Sequence, residues 1–197
     1  MRFVIALILL VLAGCDKESQ PKGQAQPAST GQAGASDTAE IALESANGMR
    51  ATLSYQFAGQ KAPSAPFADA QGQDVSLADF EGKPLLLNIW ATWCAPCKAE
   101  MPTLDALAAS EKGRMNVIAV SQDLEGRAPV VAFFKETAVK NLVPYTDADN
   151  ALLTAFNNAI ALPTTILYDS DGKEVWRVAG SVEWDDAEMA KLLRAAD

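Results

Sequence analysis

The sequence predicts an α/β domain in which a central mixed β-sheet is flanked by helices and entered through an N-terminal hairpin extension. Three observations predict it. An apolar run from Pro84 to Trp90, interrupted only by Asn88, reads as a central strand buried on both faces. After it, strand-like segments alternate with helix-like ones, the pattern of a layered α/β fold. Near the C-terminus, Thr164 to Tyr168 and Glu174 to Ala179 read as two strands joined by Asp169-Ser170-Asp171-Gly172, a strong hairpin turn.

Taken in order, the chain opens on Met1 and Arg2 followed by the apolar run Phe3 to Ala13. That length suits the core of a secretion signal and is too short to span a bilayer. The run ends in Leu12-Ala13-Gly14-Cys15, which resembles the lipobox of bacterial lipoproteins. The resemblance implies cleavage after Gly14 and lipidation of Cys15, and the following Asp16 resembles a signal for retention at the inner membrane. Two or three acyl chains hold a protein stably where one does not. Residues 15–40 are rich in Gln, Pro, Gly, Ala, Ser and Thr without hydrophobic periodicity, so a flexible linker is expected. A tether of about 25 residues spans roughly 25 to 30 Å r.m.s.. Residues 41–60 carry weak alternation around Arg50 to Phe57 and read either as an accessory strand or as more linker.

The remainder, residues 61–197, is expected to hold the folded domain. Phe67 and Val75-Ser76-Leu77 flank a turn at Gln71-Gly72-Gln73 and suggest the entering hairpin. Beyond the central strand a helix is expected from Cys94 or Ala95 to about Glu111. Met101, Leu104, Leu107 and Ala108 form its inner face, and Pro102 is expected to kink it. A strand at Asn116 to Ser121, a helix near Pro129 to Lys140, a short strand at Val143 to Tyr145 and a short helix from Asn150 to Asn158 follow. A closing helix is expected from Asp185 to Ala196.

Composition restricts the chemistry. The 197 residues contain no histidine, which removes Ser-His-Asp and Cys-His catalysis and most zinc and copper sites. Sixteen basic against twenty-five acidic residues give a net charge of −9, which argues against nucleic acid as a partner. Besides Cys15, the cysteines are Cys94 and Cys97, in Trp93-Cys94-Ala95-Pro96-Cys97 at the junction of central strand and helix. The unpaired N–H groups and partial positive charge of a helix start favour a thiolate there. Cys94 is therefore expected to be the exposed attacking thiolate and Cys97, a turn further in, the recessed resolving thiol. Pro96 has no N–H to lose in the first turn. Zinc would need two further ligands, and a c-type haem needs His where Lys98 stands. A purely structural disulfide closing so short a loop restrains little of the unfolded chain. Thiol-disulfide exchange is the chemistry that remains, and no cofactor is expected.

Asn88-Ile89-Trp90-Ala91-Thr92-Trp93-Cys94-Ala95-Pro96-Cys97-Lys98-Ala99-Glu100-Met101-Pro102, with Leu162-Pro163-Thr164-Thr165 much later, resembles the TlpA/ResA group of membrane-anchored thioredoxin-like proteins. The resemblance covers about Pro66 to Ala196 and, through Gly180 to Trp184, leans to the TlpA branch. It implies a thioredoxin-like fold and reduction of disulfides during cytochrome c or cytochrome oxidase assembly. It also implies a cis bond before Pro163, which would set the Leu162 backbone beside the disulfide for an extended substrate segment to pair with. Trp93, Ala95 and Pro96 are the expected neighbours of that segment, and Trp90 serves either there or in the core. Glu100 shares a helical face with Leu104 and Leu107, whereas Lys98 and Asp105 take the opposite side. Buried there, its carboxylate is expected to exchange a proton with Cys97. Asn88 stands where thioredoxin proper has a buried Asp and reads as a structural hydrogen-bonder.

A copper-delivery module on the same fold needs a distant His, and a peroxidase needs an isolated cysteine, so both fit poorly. Reductant or oxidant stays open on residue chemistry, and the resemblance favours reductant. The expected partners are a disulfide-containing protein substrate and a membrane-embedded thiol donor. The protein is expected to be a monomer, lipid-anchored at the bacterial inner membrane and facing the periplasm.

Overall fold

The computed structural model describes residues 40–45, 48–157 and 160–196. The expected signal segment, Cys15 and nearly all of the expected linker lie outside the described residues. A nine-stranded sheet organises the rest. Its strands are β1 (Ile41–Glu44), β2 (Arg50–Ser54), β3 (Phe67–Ala68), β4 (Asp74–Val75), β5 (Leu85–Trp90), β6 (Asn116–Ser121), β7 (Pro144–Thr146), β8 (Thr164–Tyr168) and β9 (Glu174–Gly180). Four helices accompany them: α1 (Ala95–Ser110), α2 (Arg127–Glu136), α3 (Ala151–Ala155) and α4 (Ala187–Leu192). The order across the sheet is β1-β2-β9-β8-β5-β6-β7-β3-β4. Strand β5 runs parallel to β6 and antiparallel to β8, so the sheet is mixed, as expected.

The period-two alternation of β5 decides which side chains reach which layer. Leu86 and Trp90 point into the core shared with α1, α2 and α4, where Met101, Leu104, Phe134 and Met189 meet them. Leu85, Leu87 and Ile89 point the other way, against Phe67, Leu77 and Leu152. Every residue of β5 is buried, which accounts for its unbroken apolar reading. Trp90 is plain core: its ring stacks on Phe134 with centroids 5.7 Å apart. By the same alternation Asn88 falls on the side of Leu86 and Trp90, under α1.

Several elements depart from expectation. Residues 41–60 contribute β1 and β2, which extend the sheet, β2 pairing with β9 and β1 with β2. Leu77 belongs to a 3-10 turn, Leu77–Phe80, and not to an extended stretch. Helix α1 continues through Pro102, which stands inside it. Helix α2 starts two residues before Pro129, and α4 passes into a 3-10 turn, Leu193–Ala196. Asp105 is not on an outer face. It is buried and accepts hydrogen bonds from the backbone N–H groups of Lys140, Asn141 and Leu142 and from the Asn141 side chain. The 140–142 loop packs over that side of α1 and needs an acceptor there.

Candidate active site

Strand β5 delivers the chain to the site, and α1 begins on it. Cys94 is the N-cap of α1, with Ala95 and Pro96 in the first turn. Its sulfur accepts the backbone N–H of Cys97 at 3.3 Å, as an N-cap side chain does. The same N–H, together with the positive end of the helix, stabilises negative charge on that sulfur once the pair is reduced. Cys94 and Cys97 are joined as a disulfide, with sulfurs 2.04 Å and Cα atoms 5.3 Å apart. Cys94 is less open than expected, with 6% of its surface exposed against none for Cys97. The two cysteines differ in exposure only in degree. Trp93, Ala95 and Pro96 stand exposed around the pair.

Leu162 and Pro163 approach from β8, and the peptide bond between them is cis. The β5–β8 register pairs Ile89 with Thr164, so one step further Pro163 comes level with Trp90 and Leu162 with Ala91. That is the end of β5 from which the Cys94 loop departs. The Pro163 carbonyl is held by the backbone N–H of Gly180 at 2.8 Å. Gly180 has φ of +105°, and a Cβ there would lie 2.5 Å from the Arg50 carbonyl oxygen, so only glycine fits.

Glu100 is fully buried one turn after Cys97, on the same inward side of α1. Asn88 Nδ2 donates to its Oε1 at 2.7 Å, and the backbone N–H of Val182 donates to its Oε2 at 3.2 Å. Burial pushes the Glu100 carboxyl up from its ordinary 4.5 to about 8, against the opposing pull of Asn88, Val182 and Trp184. The Trp184 indole N–H acts on it without a hydrogen bond of normal geometry. Asn88 Nδ2 also donates to Thr165 Oγ1 at 2.9 Å, while its Oδ1 is buried without a partner. Turned over, that amide would offer Oδ1 to a protonated Glu100 and to the Thr165 hydroxyl, so the network accommodates either protonation state.

One supporting residue escaped sequence reasoning. Asp123, buried beyond β6, accepts the Thr92 hydroxyl at 2.6 Å and the Thr92 backbone N–H at 2.9 Å. It thereby fixes the chain two residues before Cys94. The available signal was weak: a polar cluster, Ser121-Gln122-Asp123, at the C-terminal end of a parallel strand, where α/β folds build their sites.

The Redoxin family model matches residues 57–193. The thiol-disulfide oxidoreductase ResA of Bacillus thuringiensis is 36% identical over 124 residues, covering 62% of this chain and 69% of that protein. ResA of Bacillus subtilis is 34% identical over 63% of this chain and 68% of its own. Among solved structures, a candidate thiol:disulfide interchange protein DsbE from Chlorobium tepidum superposes with a TM-score of 0.61 at 25% identity. It covers 71% of this chain and 98% of that one. The exposed lipoprotein thioredoxin Etrx1 of Streptococcus pneumoniae gives 0.56 at 26%, over 66% and 96%. With its redox pair capping a helix beside a cis-proline loop, the chain belongs to the Redoxin family, as a TlpA/ResA-like thiol-disulfide oxidoreductase of thioredoxin-like fold.

Proposed function

We propose that this oxidoreductase is a reductant, anchored through a lipid on Cys15 to the bacterial inner membrane and facing the periplasm. Its substrates are disulfides of proteins being assembled into cytochrome c or the copper site of cytochrome oxidase. The observation that carries the reading is the buried Glu100 carboxyl one turn after Cys97, with a pKa near working pH. In the reduced enzyme the Cys94 thiolate attacks one sulfur of the substrate disulfide. That bond breaks, the second substrate sulfur leaves and takes a proton, and a mixed disulfide remains. Cys97 then gives its proton to ionised Glu100 and attacks the Cys94 sulfur, releasing the first substrate sulfur as a thiolate that takes a proton from Glu100 or water. Two electrons have moved to the substrate, and the enzyme is left as the disulfide seen here.

A carboxyl that titrates near neutrality takes and returns the Cys97 proton at little cost in either direction. Because Cys94 and Cys97 are the only thiols left once Cys15 is acylated, electrons must come from a separate membrane-embedded dithiol. The exposed lipoprotein thioredoxin among the structural neighbours supports the anchored, exported reading. No helix among the described residues is long and apolar enough to cross a membrane.

Cys97→Ser, expressed in the native cell, removes the resolving thiol and keeps the attacking one. Disulfide-linked adducts released by dithiothreitol are expected in the membrane fraction, and they identify the substrate. Adducts with apocytochrome or copper-site proteins carry the reading. Adducts confined to a soluble fraction would overturn the anchor, and a reduction potential above about −150 mV would make the protein an oxidant.

A further inference from the structure

From Gly180, the last residue of β9, to Trp184 the chain forms a strap whose backbone N–H groups are taken by other parts of the molecule. Gly180 donates to the Pro163 carbonyl at 2.8 Å and Val182 to Glu100 Oε2 at 3.2 Å. Glu183 donates to Ser45 Oγ, just after β1, at 3.4 Å, and Trp184 to Thr103 Oγ1 at 3.2 Å. One end of the strap therefore holds the loop beside the disulfide, and the other end is fastened to α1 at two points.

Thr103 lies three residues after Glu100, so the two are neighbours on the side of α1 that the strap crosses. Its hydroxyl donates its one proton to the Glu100 carbonyl at 2.9 Å, which leaves its lone pairs to accept the Trp184 N–H. The hydroxyl thus ties the strap to the same residue whose carboxylate the strap serves. Trp184 is buried, so water is a poor substitute for that acceptor. The groups that act on the Glu100 carboxyl, besides burial, are all uncharged: Asn88 from β5, and Val182 and Trp184 from the strap. Cys97, its titratable neighbour one turn back on α1, is held in the disulfide. The strap therefore carries two of the three groups that favour the charged form.

We propose that Thr103 is a positioning residue for proton transfer between Cys97 and Glu100, acting through Trp184 to hold the strap where the Val182 N–H meets the Glu100 carboxylate. The inference rests on Glu100 as the proton partner of Cys97, and not on the direction of exchange or on the anchor. Without the Thr103 hydroxyl the Trp184 end of the strap is released and the Val182 N–H meets Glu100 less closely. The ionised carboxylate then loses a donor that the protonated form does not need. Valine fills the space of Thr103 without donating or accepting, whereas serine restores the hydroxyl.

The test follows the Glu100 carboxyl resonance of the oxidised full chain, labelled at glutamate, through a pH titration, with Glu100→Gln identifying the signal. Wild type is expected to titrate near 8. Thr103→Val should raise the midpoint by about half a unit or more, and Thr103→Ser should return it to the wild-type position. In the reduced protein near neutral pH, Thr103→Val should slow resolution of a Cys94–glutathione mixed disulfide about threefold, the loss of ionised Glu100 that half a unit represents. Ser110 makes the same kind of bond along α1, its hydroxyl donating to the Leu107 carbonyl at 3.0 Å, so Ser110→Ala controls for a general effect on the helix and should leave the midpoint in place. A midpoint unmoved in Thr103→Val, moved equally in Ser110→Ala, or not restored by Thr103→Ser would overturn the proposal while the Glu100 reading stands. A wild-type signal that does not titrate near neutrality would bring down that reading and this inference with it.

Discussion

Helix α1 carries Glu100 and Asp105 on its buried parts, and the fold puts them to opposite uses. Asp105 is surrounded by donors: three backbone N–H groups and an amide side chain converge on its two oxygens. Glu100 is more deeply buried, yet it receives one amide side chain and one backbone N–H. Desolvation outweighs those two bonds, and the carboxyl is pushed up to about 8. The two carboxyls differ both in depth of burial and in how many donors the surroundings supply. A carboxylate with many donors is a structural acceptor that organises a loop. One with few donors keeps a proton within reach of neutral pH, which is what chemistry at Cys97 needs.

The largest effect expected from breaking this contrast is on stability, at Asp105. Asp105→Ala strands the N–H groups of Lys140, Asn141 and Leu142 and is expected to cost about 3 kcal/mol in urea unfolding. The exchange rate of the protein that remains folded should be close to normal. A large rate loss with little destabilisation would mean that Asp105 also serves the chemistry, and the contrast would fail.

Glu100→Gln should do the reverse. Loss of a proton carrier is expected to slow resolution by Cys97 about tenfold or more and to remove the inflection near pH 8 from the rate profile. Stability carries its own signature. Because the folded pKa lies above the ordinary 4.5, the native state holds its proton where the unfolded chain has lost it. Stability from this group is therefore complete below about 4.5, falls as pH rises through the window to about 8, and is level above it. Glu100→Gln should flatten that slope. A profile unchanged in both rate and stability would return Glu100 to a packing role.

The sequence showed one of these acids correctly and not the other, for a physical reason. Glu100 lies one turn from Cys97 and in line with Leu104 and Leu107, so helical period alone turns it inward. Asp105 lies on the side of exposed Lys98, and what buries it is the 140–142 loop, some 35 residues away in the chain. No local pattern announces a loop that packs from such a distance. Strand β5, the hairpin of β8 and β9 and the capping cysteine were legible for the same reason as Glu100, since each follows from neighbouring residues. Strands β1 and β2 were ambiguous because β9, the strand that joins them to the sheet through β2, lies at the far end of the chain. Asp123 was missed because its partner, Thr92, is 31 residues away. Neighbouring residues identify the reacting groups, and distant contacts supply what holds them.

The smallest effect should come from the far side of the Glu100 network. Thr165 reaches Glu100 only through a shared hydrogen-bond partner. It accepts from Asn88 Nδ2, the amide that also donates to Glu100, and β5–β8 register places Thr165 directly opposite Asn88. Thr165→Val keeps the shape and β-branching of a buried strand residue and removes one acceptor. The Asn88 amide then loses a partner that helps choose its orientation, and turning over to present Oδ1 to a protonated Glu100 no longer gains the Thr165 hydroxyl. Ionised Glu100 gains in relative terms, because Nδ2 has fewer acceptors to share. The Glu100 inflection in the rate profile should move to lower pH by a fraction of a unit, with stability down by about 1 kcal/mol. A shift in the opposite direction would mean that Thr165 steadies the ionised form. An unchanged inflection with the same loss of stability would confine Thr165 to packing and leave Asn88 and Val182 as the groups that set the Glu100 proton.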